Sequence, residues 1–237
     1  MKELIKREII YFYIKRPFTF LWLLFFNLIF LLAKGLTNVQ EVSPSDPQYT
    51  FTRAFSLLIP LFIFAFTGGM SMDEIIHKDK VKKYFEVLMA TGFSPFKILL
   101  GKIISLVFVL YFLFILSFLL WISLLITFGT SLDKIFFEGK LFWVNFLVFS
   151  PLLGVSLLVL ESFFYLIFQD QRSASIFSFL SFGFLGFFIL FIALASPYDF
   201  FLIIFLPSLS FFSLIFSFLF TCLILKLTPP ERYLSKT

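Results

Sequence analysis

The stretch IISLVFVLYFLFILSFLLWISLLITFGTSL, residues 103–132, runs for 30 residues without a charged side chain. A helix rises 1.5 Å per residue, so about 20 apolar residues are enough to cross the hydrocarbon core of a bilayer, which is roughly 30 Å thick. Residues 103–132 are therefore long enough to cross a membrane and to extend beyond one of its surfaces. They predict that this chain contains at least one membrane-spanning helix.

The rest of the chain repeats this pattern. Five further stretches carry at most one charge each: residues 17–33, 54–72, 141–169, 173–198 and 200–225. The whole chain of 237 residues is 60% hydrophobic and only 14% charged, whereas a soluble domain carries about 25% charged residues. These features predict an all-α polytopic membrane protein, in which six transmembrane helices form a single transmembrane domain over residues 1–237.

Lysine and arginine are divided unequally between the two sides of the predicted spans. Of the 19 in the chain, all but four fall on the side of the termini, and the four exceptions are Lys34, Arg53, Lys134 and Lys140. Loops rich in Lys and Arg stay on the cytoplasmic side of a membrane. The imbalance predicts a multi-pass protein of the cell membrane (inner or plasma membrane) whose N- and C-termini are both cytoplasmic.

Two shorter segments differ from the spans. Residues 1–16 combine basic side chains with an apolar stripe, which predicts an amphipathic interfacial helix that contacts membrane lipid. That helix is either a plain anchor or an elbow that meets a cytoplasmic partner. Residues 196–207 are apolar but contain Pro197 and Pro207. Because proline removes a helical hydrogen-bond donor, this segment predicts a short re-entrant element before the last helix.

The sequence does not indicate catalytic chemistry. His77 is the only histidine, which excludes both an H-E-x-x-H metalloprotease motif and a buried Ser–His pair. Gly101 and Lys102 do not end a phosphate-binding loop, because Phe96 stands where that motif needs its first glycine. We therefore predict no catalytic residue, no metal site and no cofactor bound by this chain, and no nucleic-acid partner.

A few residues inside the predicted spans are candidates for specific roles. Glu161 is the only charged residue in the stretch 141–169. An intramembrane carboxylate is costly, so Glu161 is either a functional polar site or a side chain that faces another helix or reaches the interface. Four glycines permit close approach of helices, either at a dimer seam or in ordinary packing: Gly68, Gly69, Gly183 and Gly186.

Residues 73–98 form the predicted cytoplasmic loop between the second and third spans. The segment YFEVLMAT, residues 84–91, is good helix-forming material, and Gly92 after it is a typical C-terminal stop. Ser94 and Pro95 then restart a helix, as an N-cap and a first helical residue. The apolar side chains of the short first helix predict either a docking helix for a soluble partner or an interfacial helix that rests on lipid.

This loop resembles that of ABC transporter permeases of the type-two exporter class. The resemblance lies in FEVLMATGFSPFKILLGK, residues 85–102, where the matching positions are Glu86, Leu88, Thr91, Ser94, Leu99, Gly101 and Lys102. Six spans, cytoplasmic termini and an amphipathic N-terminal helix also fit that class. The chain departs from the pattern where Lys83 and Tyr84 replace the usual Gly-Thr and where Gly92 replaces the usual Pro.

The resemblance implies a permease subunit of an ATP-driven exporter. In that class the permease works with two copies of a separate ABC ATP-binding subunit, which bind ATP and Mg, and with a second permease copy or a homologous permease. The short helix would be the coupling helix, with a hinge at Gly92 and Pro95. Its ATPase-docking residues would be Tyr84, Phe85, Glu86, Val87, Leu88, Met89 and Thr91. Apart from the resemblance, a non-transport scaffold or immunity protein that recruits a cytoplasmic partner remains the alternative.

Overall fold

The computed structural model describes residues 2–14, 21, 24–25, 28–29, 47–72, 75–76, 83–127, 139–168, 171–195 and 201–227. The regular structure in these residues is helical and contains no strand, which confirms the all-α prediction for this part of the chain. Most of the first predicted span, residues 17–33, lies outside the described residues. The same is true of most of the first ten residues of the predicted loop, 73–82, including His77.

Seven helices can be followed in chain order through the described ranges. Their bounds are Lys2–Ile14 for α1, Pro47–Met72 for α2, Tyr84–Ala90 for α3, Pro95–Thr127 for α4, Lys140–Ile167 for α5, Gln171–Ala195 for α6 and Phe201–Leu227 for α7. α5 contains a wider π-helical turn at Asn145–Phe149, and α7 opens with another at Phe201–Phe205. Each of these turns is followed by a proline, Pro151 in α5 and Pro207 in α7.

Helices α4, α5 and α7 are each long and apolar enough to cross a membrane, with 33, 28 and 27 residues. Even the shortest of them is about 40 Å long, which exceeds the roughly 30 Å of hydrocarbon. α2 adds a shorter apolar segment, Phe55–Gly69. The described structure is thus that of a helical membrane protein with three candidate spans. The prediction of six spans goes beyond what the described residues show.

The outer surface of the bundle carries many exposed aromatic side chains. On α6, Phe184, Phe187 and Phe191 are 77, 76 and 68% exposed. They lie three and four residues apart and therefore share one face of the helix. A contiguous apolar face of this kind is rare on a soluble monomer, whereas lipid hydrocarbon solvates it. The surface of α6 is therefore suited to a membrane.

Two glycines let α2 and α5 pack closely at the centre of the bundle. A Cβ atom at Gly68 of α2 would overlap the side chain of Leu158 on α5. In the other direction, a Cβ atom at Gly154 of α5 would overlap Phe64 on α2. The overlap at Gly154 is with the Cβ atom of Phe64, which cannot move without its helix, whereas the overlap at Gly68 is with the end of the Leu158 side chain. Small residues at these positions therefore allow α2 and α5 to approach closely.

The glycines predicted from sequence fall into two groups. Gly68 and Gly69 lie between two helices of the same chain, α2 and α5, and so they serve packing within the protomer. On α6, by contrast, a Cβ atom at Gly183 would meet nothing within 4 Å, and one at Gly186 would reach only Phe62, at 3.8 Å. Of these four glycines, only Gly183 has open space at the Cβ position, whereas Gly186 is buried beside Phe62.

Pro60 interrupts α2, and a serine from α5 bridges the interruption. The Ser150 hydroxyl accepts a hydrogen bond from the N–H of Leu61 at 3.2 Å and donates one to the C=O of Leu57. These two backbone groups are the ones that a regular helix would join directly. Ser150 thus hydrogen-bonds α5 to the backbone of α2 in the turn that contains Pro60, within the apolar interior of the bundle.

Pro151 leaves a backbone C=O group of α5 without its helical donor, and a tyrosine from α4 donates to that group. Proline has no N–H, so the C=O of Leu147, four residues earlier, loses its helical donor. The Tyr111 hydroxyl donates a hydrogen bond to that C=O. The C=O of Leu147, which lies in the π-helical turn, is therefore where α4 is hydrogen-bonded to α5.

Pro207 in α7 is compensated by an asparagine from α5. In a π-helical turn the N–H of residue 207 would serve the C=O of Leu202, five residues earlier. The Asn145 side chain donates to that C=O instead, with Nδ2 at 3.1 Å. The described part of the predicted re-entrant segment is therefore helical and continuous with α7. The rest of that segment, residues 196–200, lies outside the described residues.

Candidate functional site

The short helix α3 is separated from α4 by a well-defined turn. Gly92, at φ +89°, ends α3 with two hydrogen bonds: its own N–H reaches the C=O of Met89 at 2.9 Å, and the N–H of Phe93 reaches that of Leu88 at 3.3 Å. This is the Schellman arrangement, which favours glycine because of the left-handed backbone.

A serine cap starts the next helix two residues further on. The Ser94 hydroxyl accepts a hydrogen bond from the N–H of Lys97 at 3.3 Å, and Pro95 is the first residue of α4. Proline is well placed there, because the first N–H of a helix has no internal partner. The two residues predicted as a hinge, Gly92 and Pro95, thus lie in the turn that joins α3 to α4.

α1 lies against both α3 and α4. The Arg7 guanidinium carbon stands 4.3 Å from the centroid of the Tyr84 ring at the start of α3. This cation–π contact is worth about 0.5–1 kcal/mol at an exposed site. On α4, the Ser105 hydroxyl donates a weak hydrogen bond to the C=O of Ile5 at 3.4 Å. We call α1, α3 and the first three turns of α4 (Pro95–Ser105) the platform.

The side chains of α3 point in several directions. Val87 is 56% exposed, whereas Leu88 and Met89 are half-buried and pack against the hydrophobic core. Tyr84 lies under Arg7. Thr91 is exposed, and its hydroxyl donates to the C=O of Leu88 at 2.8 Å. The predicted docking residues therefore do not form one surface, and the freely accessible apolar side chain among those described is Val87.

Glu86 and Phe85 are the two remaining predicted docking residues. Glu86 is half-buried and already has an interaction partner within the chain. The side chain of Phe85 lies outside the described part of the structure. The accessible edge of α3 is therefore the line from Lys83 through Val87 to Ala90 and Thr91, all of which are exposed.

Glu161, the predicted intramembrane polar residue, lies at the interface between α5 and α2. It is only 4% exposed. Its carboxylate packs over Gly69, where a Cβ atom would come within 2.9 Å of Oε2. Glu161 therefore faces another helix of the same chain rather than lipid, and Gly69 leaves the room that its carboxylate occupies.

Lys102, a residue of the motif that resembles the exporter permeases, is a second buried charged residue. The structure places it about 10 Å into α4, counted from Pro95 at 1.5 Å per residue, with no exposed surface. Ser105, three residues on and so on the same face, contacts α1. Lys102 is therefore covered at the level where α1 packs on α4. The sequence indicates that Lys102 belongs to α4, because it follows the predicted helix start at Ser94 and Pro95 by only a few residues.

No group of three or more His, Cys, Asp or Glu side chains that could hold a metal ion occurs among the described residues. Comparisons of this chain with family models, with curated proteins and with solved structures find no match. The resemblance of residues 85–102 to type-two ABC permeases therefore stays a prediction from the sequence.

Proposed function

We propose that this chain is the membrane-spanning permease subunit of an ATP-driven exporter. Two copies of a separate ATP-binding subunit, which hold ATP and Mg, dock on α3 of this chain and of a second permease copy. ATP-driven movement of those subunits displaces α3 and so changes the packing of the membrane helices. The proposal joins the sequence resemblance of residues 85–102 to the position of α3 in the fold.

The observation that carries the proposal is the way α3 is mounted. Its seven residues form a separate helix that is attached to α1 through Arg7 and to α4 through the turn at Gly92. Its inner side chains pack on the core, while Val87 is left exposed at its outer edge. A short helix that packs on the protein along one side and exposes Val87 along the other is suited to bind a partner.

The charge distribution supports an ATP-binding partner on the side of α3. Fifteen of the 19 Lys and Arg residues fall on the predicted side of the membrane that carries the termini and residues 73–98, and this side is cytoplasmic under the positive-inside rule. ATP is available on that side of a cell membrane. We therefore place both termini and α3 in the cytoplasm, and the outward direction of transport follows from the resemblance.

The alternative is a membrane scaffold or immunity protein that uses α3 to recruit a partner without transport. The same exposed Val87 would serve that purpose, since recruitment also needs an accessible apolar side chain. The two functions differ in the partner: only an exporter requires one that hydrolyses ATP. An adjacent reading frame that encodes a phosphate-binding loop would favour the exporter.

Substitution of Val87 tests the docking surface. We expect Val87→Asp to abolish co-purification with the ATP-binding subunit, because a charge replaces the exposed apolar contact. Val87→Thr keeps the shape and removes little apolar area, so it should retain most of the association. Leu88→Asp is a poorer test, since Leu88 packs against the core and its loss would also disturb the fold.

The readout is the amount of ATP-binding subunit, and of ATPase activity, recovered with the tagged full-length chain from membranes. Recovery that is equal for wild type and Val87→Asp would contradict docking on α3. A partner that depends on Val87 but neither contains a phosphate-binding loop nor hydrolyses ATP would favour the scaffold function instead.

A further inference from the structure

An apolar groove opens on the side of the bundle along α4. It has a volume of about 600 Å³ and is walled by Val155 of α5 and Phe218 of α7. The α4 residues that line it are Ile103, Ile104, Val107, Phe108, Tyr111, Phe112 and Ile115. The only polar atom among these side chains, the Tyr111 hydroxyl, is hydrogen-bonded to the C=O of Leu147. An occupant of this groove must therefore be apolar.

The length of the groove matches one leaflet of a bilayer. Ile103 and Ile115 are twelve residues apart, which is about 18 Å along the helix. Half of the hydrocarbon core is roughly 15 Å thick. A groove of this length, open to the side of a membrane helix, has the dimensions of one extended acyl chain of the leaflet that borders α3.

A lysine lies on α4 beyond the end of the groove nearest α3. Lys97 is exposed and precedes Ile104 by seven residues and Phe108 by eleven, so all three share one face of α4. It lies about 10 Å before Ile104 along the helix axis, where the acyl region gives way to headgroups. A lysine near the membrane surface attracts anionic lipid.

We propose that this groove holds one acyl chain of an anionic phospholipid from the leaflet bordering α3, with the phosphate of its headgroup on Lys97. The lipid fills the space that α4 leaves between itself and the walls formed by Val155 and Phe218. The chain thereby recognises one lipid by charge and shape, independently of whether α3 docks an ATP-binding subunit.

Native mass spectrometry of the full-length chain tests the proposal. The purified protein is exposed to an equal mixture of phosphatidylglycerol and phosphatidylcholine, and the lipid retained per chain is counted. We expect about one phosphatidylglycerol per chain. Lys97→Gln should lower the preference for phosphatidylglycerol roughly fivefold, because one surface charge is lost. Lys140→Gln, an exposed lysine at the start of α5, should leave it unchanged.

A second variant fills the groove with a larger side chain. Val155→Trp should abolish retention of both lipids, because the indole occupies the space of the acyl chain. Val148→Trp introduces the same side chain on α5 at a position that is 47% exposed and outside the groove, and it should retain lipid. Retention that is equal in wild type, Lys97→Gln and Val155→Trp would overturn the proposal.

Two further results decide the identity of the occupant. A phosphatidylglycerol with a photoactivatable acyl chain should label wild-type peptides that contain residues 103–115, and this needs no variant to fold. Labelling confined to other helices would overturn the proposal. So would a Val155→Trp protein that loses its dimer but keeps its lipid, since a second copy of the chain would then occupy the groove.

Discussion

At the scale of single residues, the hydroxyl group of Ser150 forms two hydrogen bonds to the backbone of another helix. Ser150 contacts the backbone of α2 on both sides of the gap that Pro60 opens, 93 residues away in sequence. A serine in a membrane helix more often bonds the C=O of the preceding turn. Ser150 instead bonds another helix, so its removal takes away the hydroxyl that both the N–H of Leu61 and the C=O of Leu57 contact.

We expect Ser150→Ala to lower the free energy of unfolding by about 1–2 kcal/mol, the range for hydrogen bonds between membrane helices and for orphaned buried groups. Ser123→Ala is the matched control, because Ser123 is exposed and bonds only Leu119 in its own helix. Unfolding in mixed detergent micelles measures both variants. Equal effects would show that the bond to α2 contributes nothing.

A pair of glycines offers a second test at this scale. Gly68→Ala should destabilise the protein, since the added methyl group meets the Leu158 side chain at once. Gly183→Ala should be neutral or stabilising by up to about 1 kcal/mol, because alanine is the better helix former and the site is open. Thermal unfolding compares the two. A Gly68→Ala protein as stable as wild type would contradict the close packing of α2 on α5.

At the scale of helices, the platform explains how a seven-residue helix can be held in place. A helix as short as α3 is not stable alone. It is stabilised from outside, by the Schellman turn at Gly92, by the packing of Leu88 and Met89 on the core, and by Arg7 stacked on Tyr84. Of these supports, only Arg7 belongs to a different helix and can be removed without touching α3.

Arg7→Ala should therefore loosen α3 selectively. Loss of the cation–π contact, about 0.5–1 kcal/mol, should raise the hydrogen-exchange rates of the α3 amides roughly two- to fivefold. The central residues of α5 should exchange as in wild type. Lys6→Ala, the exposed neighbour on α1, is the control and should have no such effect. An unchanged α3 in the Arg7→Ala protein would mean that α1 does not support it.

At the scale of the whole molecule, the sequence predicts the helices better than their contacts. Uncharged stretches identify α4, α5 and α7. In hydrocarbon the backbone N–H and C=O groups of a spanning segment must form hydrogen bonds with each other, so a long uncharged segment is a helix. The end of α3 and the start of α4 are equally readable, since Gly92, Ser94 and Pro95 act through local backbone geometry. In contrast, the described part of the predicted re-entrant segment, residues 201–207, is a helix that continues through Pro207, where Asn145 donates to the C=O of Leu202.

The platform shows why the candidate site could be predicted only in part. Tyr84 and Leu88 were assigned to a docking surface from their place on a short helix, but the direction of each depends on α1 and on the core. The burial of Lys102 depends on α1 in the same way. Such contacts join residues far apart in sequence, and no spacing within one segment encodes them.

The hydrogen bond between Tyr111 and the C=O of Leu147 has a mechanical consequence. Tyr111 is the central residue of α4, which runs from Pro95 to Thr127, with an arm of about 24 Å on either side. Phe64 and Phe114 pack edge-on against its ring, with centroids 5.6 and 6.3 Å away. This contact lies at the midpoint of α4, so a rigid rotation of the helix about it would move Pro95 and Thr127 by equal distances in opposite directions.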